Sequence, residues 1–210
     1  MPEKTAVDGS PLAPESIQML DYLAKRTHEL SASAIRDRVR LAARELEDVV
    51  ASVPQAQARL RPIPGKWNIA EVVDHISQTQ VRGTEELRHL LAGRRPPLPP
   101  VYEAIRSGAG EWAPWDLLVD ELRQANQAMI SVLDEAAKDP APPSGVMVRT
   151  VMVALCKQAD GSMKPQIWFE DLGWKEYALL QRLHLLDHRT QVKKLREALP
   201  ADRSAQSSGV

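Results

Sequence analysis

"LGWKEYALLQRLHLLDHRTQVKKL", residues 172–195, decides how the chain folds, because its apolar positions recur at helical spacing and two histidines ride among them. At 100° per residue from Trp174, Tyr177 falls at about 300°, Leu180 at about 240°, His184 at about 280°, His188 at about 320°, Gln191 at about 260° and Leu195 at about 300°. The spacing predicts one long helix, from about Gly173 to Leu199, whose core-facing stripe carries both imidazoles. Four residues apart, they stand one turn apart on the same face, with Cβ atoms about 5–6 Å from each other. An unpaired buried polar group costs roughly 1–3 kcal/mol, so both rings need partners. A shared divalent metal satisfies both at once; two separately satisfied core histidines are the plainer alternative.

A second stretch raises the same question. In "GKWNIAEVVDHISQTQ", residues 65–80, Asn68 is a good N-cap and Glu71 three residues on resembles a capping box. Ile69, Val72, Val73 and Ile76 begin an apolar stripe that runs to about Leu91, where "AGRRPPLPP" stops it. His75 borders that stripe and shares a side with Thr79. If this helix and the last one are neighbours, three imidazoles can converge. A three-histidine set suits Zn²⁺, Ni²⁺, Co²⁺ or Fe²⁺ and leaves positions for water or substrate.

The rest of the chain frames these two helices. From Pro14 to about Ser52, Ile35, Val39, Ala42, Leu46 and Val49 mark a long amphipathic helix with a break near Ser31-Ala32-Ser33. Five prolines between Pro96 and Pro114 keep the next stretch looped. A third helix from Trp115 to Ala137 turns Leu118, Leu122, Ala125, Met129, Val132 and Leu133 inward. Residues 146–169 are β-branched on both sides of Asp160-Gly161, which reads as a small hairpin, with a buried helix over 146–156 in competition. The expected organisation is a flexible N-terminus (1–13), one domain (14–200) and a flexible C-terminus (201–210), the domain being an all-α four-helix bundle with a Pro-rich loop and a hairpin before the last helix.

Composition excludes several functions. Lys and Arg number 27 against 28 Asp and Glu, for a net charge of −1, so no field draws nucleic acid or an anionic membrane. No apolar run approaches the roughly 18 residues that span a bilayer, and no signal-peptide pattern opens the chain. The single cysteine, Cys156, forbids an internal disulfide and suits a reducing cytoplasm. It reads as a small buried hydrophobe. His28 and His89 sit among charges and read as solvated, Glu170-Asp171 as caps of the last helix, and the five tryptophans as packing residues, with Trp67 a candidate pocket wall.

The residues also resemble a known family. "RPIPGKWNIAEVVDHIS" (61–77) is similar to the segment that ends in a helical histidine and opens the second helix of DinB-like (DinB/YfiT) proteins, and "LGWKEYALLQRLHLLDHRTQVKKL" to their last helix, with His-x₃-His-x₂-Gln. This metalloenzyme superfamily includes thiol-dependent transferases and is distinct from the polymerase of similar name. The resemblance covers residues 20 to 200. It implies an up-down-down-up bundle, His75, His184 and His188 as metal ligands (Zn, Ni or Fe), Gln191 beside them, and Thr79, Trp67 and Tyr177 as surrounding candidates. It further implies a hydrolase or low-molecular-weight thiol S-transferase acting on a small molecule, and a homodimer. Before the last helix the chain departs from relatives, with "IWFEDLGW" where a His-Pro turn is common. A non-catalytic helical binding or sensor module, with a structural metal or none, is the competing function.

Overall fold

The computed structural model describes residues 4–139 and 145–199, so the expected C-terminal tail (201–210) lies outside the described residues. Six helices and one two-stranded antiparallel sheet make up the described part: α1 (Pro14–Glu29), α2 (Ala32–Ala51), α3 (Ile69–Leu91), α4 (Ala109–Trp112), α5 (Trp115–Lys138), β1 (Val148–Lys157), β2 (Met163–Leu172) and α6 (Trp174–Glu197).

Helix boundaries follow local chemistry. Ser31 breaks the first amphipathic stretch in two by adopting an extended conformation and accepting from Ala34 N at 3.2 Å. At α3 the capping box is complete: Asn68 Oδ1 accepts from Glu71 N at 2.9 Å and Glu71 Oε2 from Asn68 N at 2.8 Å. Two orphan donors are thereby satisfied, fixing where the His75 helix starts.

α3 packs on α5 and α6, and α2 packs on the same two, so the four long helices enclose one core. Ile35, Val39 and Leu46 of α2, Val72, Val73 and Ile76 of α3, Leu118, Leu122 and Met129 of α5 and Leu179, Leu185 and Val192 of α6 fill it. Removal of this much apolar surface from water is the main force closing the helices on one another.

The hairpin wins over the competing helix for 146–156. Val148 pairs with Leu172 and Lys157 with Met163, and Gly161 turns the chain at φ +81°, a region open to glycine at little cost. Val148, Met152, Cys156 and Trp168 are buried beneath it, and β1 packs on α1. The start of the chain is held there as well: Val7 N donates to Ile167 O at 2.8 Å and Ala13 N to Gln166 Oε1 at 2.8 Å. Residues 5–13 are therefore docked on the hairpin, where a loose terminus was expected, because Ala6 and Leu12 find apolar cover.

Candidate metal centre

α3 and α6 run antiparallel past each other and bring three imidazoles to one point. His75 Nε2 lies 3.1 Å from His184 Nε2, which lies 3.0 Å from His188 Nε2. The ligand atoms of all three fall within 4.8 Å of one another, and among the described residues no carboxylate or thiol joins the group. A metal–nitrogen bond of about 2.0–2.1 Å at angles near 90–110° separates ligand nitrogens by roughly 2.9–3.4 Å. The two spacings from His184 lie in that range.

Hydrogen bonding decides where the protons are. His75 Nδ1 is 2.9 Å from the Ile105 carbonyl and His188 Nδ1 is 2.7 Å from Gln191 Oε1. Both partners only accept, so both Nδ1 atoms carry hydrogen and both Nε2 atoms present bare lone pairs. These lone pairs converge on His184 Nε2, which can donate at most one hydrogen and so can serve only one of them. A cation serves all three, which is the sense in which the residues fit a divalent metal.

Burial keeps the rings neutral. It pushes His188 down to about 4, the neighbouring His75 adding to the effect and the Gln191 bond opposing it. His184 is held well below the ordinary imidazole range by burial and by His188 and His75. Burial lowers His75 too, against the Ile105 bond and with Arg106 assisting. Neutral imidazole is the ligating form.

Support for His75 comes from the Pro-rich segment. Asp74, buried beside it, accepts from Ser107 Oγ at 2.7 Å, Ser107 N at 3.2 Å and Gly108 N at 3.0 Å. These bonds tie residues 107–108 to α3 and hold the Ile105 carbonyl over the ring. The Trp67 ring stands 5.1 Å from the His75 ring, and the Arg106 guanidinium lies 4.9 Å over Trp67. Segment and hairpin touch through Tyr102 and Phe169, whose rings are 5.0 Å apart.

The other candidates sort themselves. Gln191 reaches His188 directly, whereas the Thr79 hydroxyl donates to the His75 carbonyl at 2.9 Å rather than facing a ring. Tyr177 is buried and donates to Glu86. Glu170 and Asp171 belong to β2 and pair with Lys4 and Arg149, so neither caps α6, whose N-cap is Gly173. His28 is exposed; His89 is half-buried, its Nδ1 without a partner among the described residues, contrary to the solvated reading. Asp74 escaped the sequence reading; its one signal was adjacency to His75. A cavity of about 1060 Å³ between α1, the hairpin ends and the start of α6 has none of the three clustered histidines in its lining.

Comparison with known proteins agrees with the fold. The crystal structure of the mycothiol-dependent maleylpyruvate isomerase shares the fold at 16% identity and a TM-score of 0.51, covering 79% of this chain and 62% of that one. A histidine-to-alanine mutant of that enzyme matches at 15% identity with the same TM-score and coverage. The chain thus spans less than two thirds of the enzyme's length. No curated protein matches it. The DinB superfamily model matches residues 38–154, more than half of the chain and including α3 with His75. On that match, the chain belongs to the DinB superfamily.

Proposed function

We propose that the protein is a metal-dependent enzyme in which His75, His184 and His188 hold one divalent transition metal (Zn, Ni or Fe) inside an up-down-down-up four-helix bundle spanning residues 14–200. The observation that carries this reading is the set of three Nε2 atoms with two Nδ1 protons committed elsewhere. Three protein ligands, with no fourth among the described residues, are the pattern of catalytic rather than structural sites, because a coordination position stays free. A divalent ion there supplies a Lewis acid that makes a thiol or a water nucleophilic near neutral pH.

The chain's own residues do the rest. Ile105 and Gln191 hold the Nδ1 protons and so aim His75 and His188. Trp67 walls the His75 side. The reaction we propose is transfer or isomerisation through a low-molecular-weight thiol, in line with the mycothiol dependence of the structurally similar isomerase; hydrolysis of a small molecule is the second outcome of the same chemistry. In this reading the protein works in the cytoplasm as a homodimer. No helix among the described residues is long and apolar enough to cross a membrane.

Two assays test the proposal. Purified protein equilibrated with Zn²⁺, Ni²⁺ or Fe²⁺ is expected to retain near-stoichiometric metal, and His184→Ala to lose it. Loaded protein is then expected to consume a small thiol in the presence of an electrophilic co-substrate, or to hydrolyse an ester or amide. Full metal loading with neither activity supports a non-catalytic binding module instead.

A further inference from the structure

Two of the three clustered imidazoles have a partner on the far nitrogen; His184 does not. Its Nδ1 is buried and unpaired among the described residues, and so are the Oε1 atoms of Gln181 and Gln80. Both glutamines are deeply buried, at 5% and 0% exposure. Each keeps its amide nitrogen occupied. Gln80 Nε2 donates to Asn126 Oδ1 at 3.0 Å. Gln181 hydrogen-bonds Tyr177, and because the Tyr177 proton goes to Glu86, Gln181 donates there through Nε2. The two Oε1 atoms are therefore the unspent acceptors of this part of the core.

The antiparallel register places the residues that carry the three atoms within about a turn of one another along the α3–α6 interface. Across the α3–α6 interface His75 meets His184, Glu86 meets Tyr177, and Gly83 meets Gln181 between them: a Cβ at Gly83 would lie 2.8 Å from Gln181 Nε2 and 2.9 Å from its Cδ. Gln80 stands one turn before Gly83 on α3, and His184 one turn after Gln181 on α6. A glycine inside a helix costs about 1 kcal/mol relative to alanine. At residue 83 it admits the Gln181 amide against the helix backbone.

We propose that Gln181 and Gln80 bind one buried water that accepts from His184 Nδ1–H and donates to the two Oε1 atoms. The count closes: one donor and two acceptors match the one lone pair and two hydrogens of a water with three partners, the usual number for a buried water. The bridge fixes His184 as the Nδ1–H tautomer and turns its Nε2 lone pair toward those of His75 and His188. It also continues the hydrogen-bonded line from His184 through Gln181 and Tyr177 to the Glu86 carboxylate. Gln181 and Gln80 are thus positioning residues, acting on the site through His184. The role rests on His184 being a ligand, so the Nδ1–H is read with Zn²⁺ bound; without the ion, His75 and His188 compete for a hydrogen on His184 Nε2.

The test is imidazole ¹⁵N–¹H correlation spectroscopy on Zn²⁺-loaded, full-length protein at neutral pH, for the wild type, Gln181→Leu, Gln80→Leu and Gly83→Ala. The expected wild-type result is an exchange-protected Nδ1–H on His184. Gln181→Leu and Gly83→Ala are expected to lose that protection while His75 and His188 keep their Nδ1–H tautomers, which shows that the fold survives. Zn²⁺ affinity is expected to fall about 10- to 100-fold in Gln181→Leu, as for other groups that orient a ligating histidine. A freely exchanging Nδ1–H on wild-type His184, or a protected one that survives in both leucine variants, overturns the bridge. Failure of the wild type to take up any metal would sink the proposed function and this inference with it, whereas a loaded wild type whose His184 Nδ1–H exchanges freely would sink the bridge alone.

Discussion

Ser107 donates its hydroxyl to the buried Asp74 carboxylate at 2.7 Å, and that contact ties the Pro-rich segment to the helix that carries His75. Two residues upstream of Ser107, the Ile105 carbonyl takes the His75 Nδ1 proton. A carboxylate that touches no candidate ligand atom thus sets the orientation of one.

Asp74→Asn tests that link. The amide cannot accept from both the Ser107 and the Gly108 groups, and hydrogen bonds to a charged acceptor are each worth about 1.5–3 kcal/mol. The expected outcome is intact helix content by circular dichroism, a looser 105–108 segment by hydrogen exchange, and metal affinity reduced about tenfold. Unchanged exchange at Ile105 and Ser107 would contradict the account.

Gly110 sets how closely α4 approaches α3. A Cβ there would stand 2.8 Å from Ala70 O and Glu71 Cα and 2.9 Å from Glu71 N, all backbone atoms that cannot swing aside. Gly110→Ala is expected to cost about 1–3 kcal/mol, the usual penalty of overpacking, measured as a lower urea midpoint. A neutral effect would mean that α4 is free to shift outward.

The start of α3 gives a second stability prediction. Asn68→Ala removes an N-cap and is expected to cost about 1 kcal/mol. Glu71→Ala is expected to cost more, because Glu71 also pairs with Arg61 at 2.8 Å and Arg106 at 3.3 Å. Burial raises the Glu71 carboxyl, but the Arg61 and Asn68 bonds outweigh it and leave the group below its ordinary value. If both variants unfold at the same denaturant concentration, the arginine pairs contribute nothing measurable.

Acid should destabilise the metal-free protein through its histidines. The folded-state values lie below the ordinary one, with His188 at about 4, so between about pH 6.5 and pH 4 the unfolded chain binds more protons than the native one. Stability is then fully present above about pH 6.5 and falls as pH drops through that window. His188 alone corresponds to a loss on the order of 3 kcal/mol at 1.36 kcal/mol per unit. Urea midpoints for wild type and His188→Gln across this range check it: the wild-type midpoint should fall more steeply. Parallel curves would show that burial does not hold His188 neutral.

Much of this was legible in the sequence because the deciding signals are local. The capping box at Asn68 and Glu71, the stop after Leu91 and the His184–His188 spacing each lie within a turn or two of chain. What stayed hidden depends on distant partners. Asp74 gains its role from a segment 33 residues away, and residues 5–13 are held by β2, through the Ile167 carbonyl and the Gln166 side chain. Glu170 and Asp171 looked like helix caps because acidic residues favour helix starts, yet strand pairing and the cations Lys4 and Arg149 claimed them. Tyr177 lies on the stripe with the histidines, but only the fold reveals its partner Glu86.

The most direct test of the central claim is a Zn²⁺ titration followed by isothermal calorimetry on wild type, His75→Ala, His184→Ala and His188→Ala, with each variant's helix content confirmed. The account predicts one ion per wild-type chain and loss of that binding in all three variants. Stoichiometric binding that survives His184→Ala, the residue at the centre of the cluster, would contradict it.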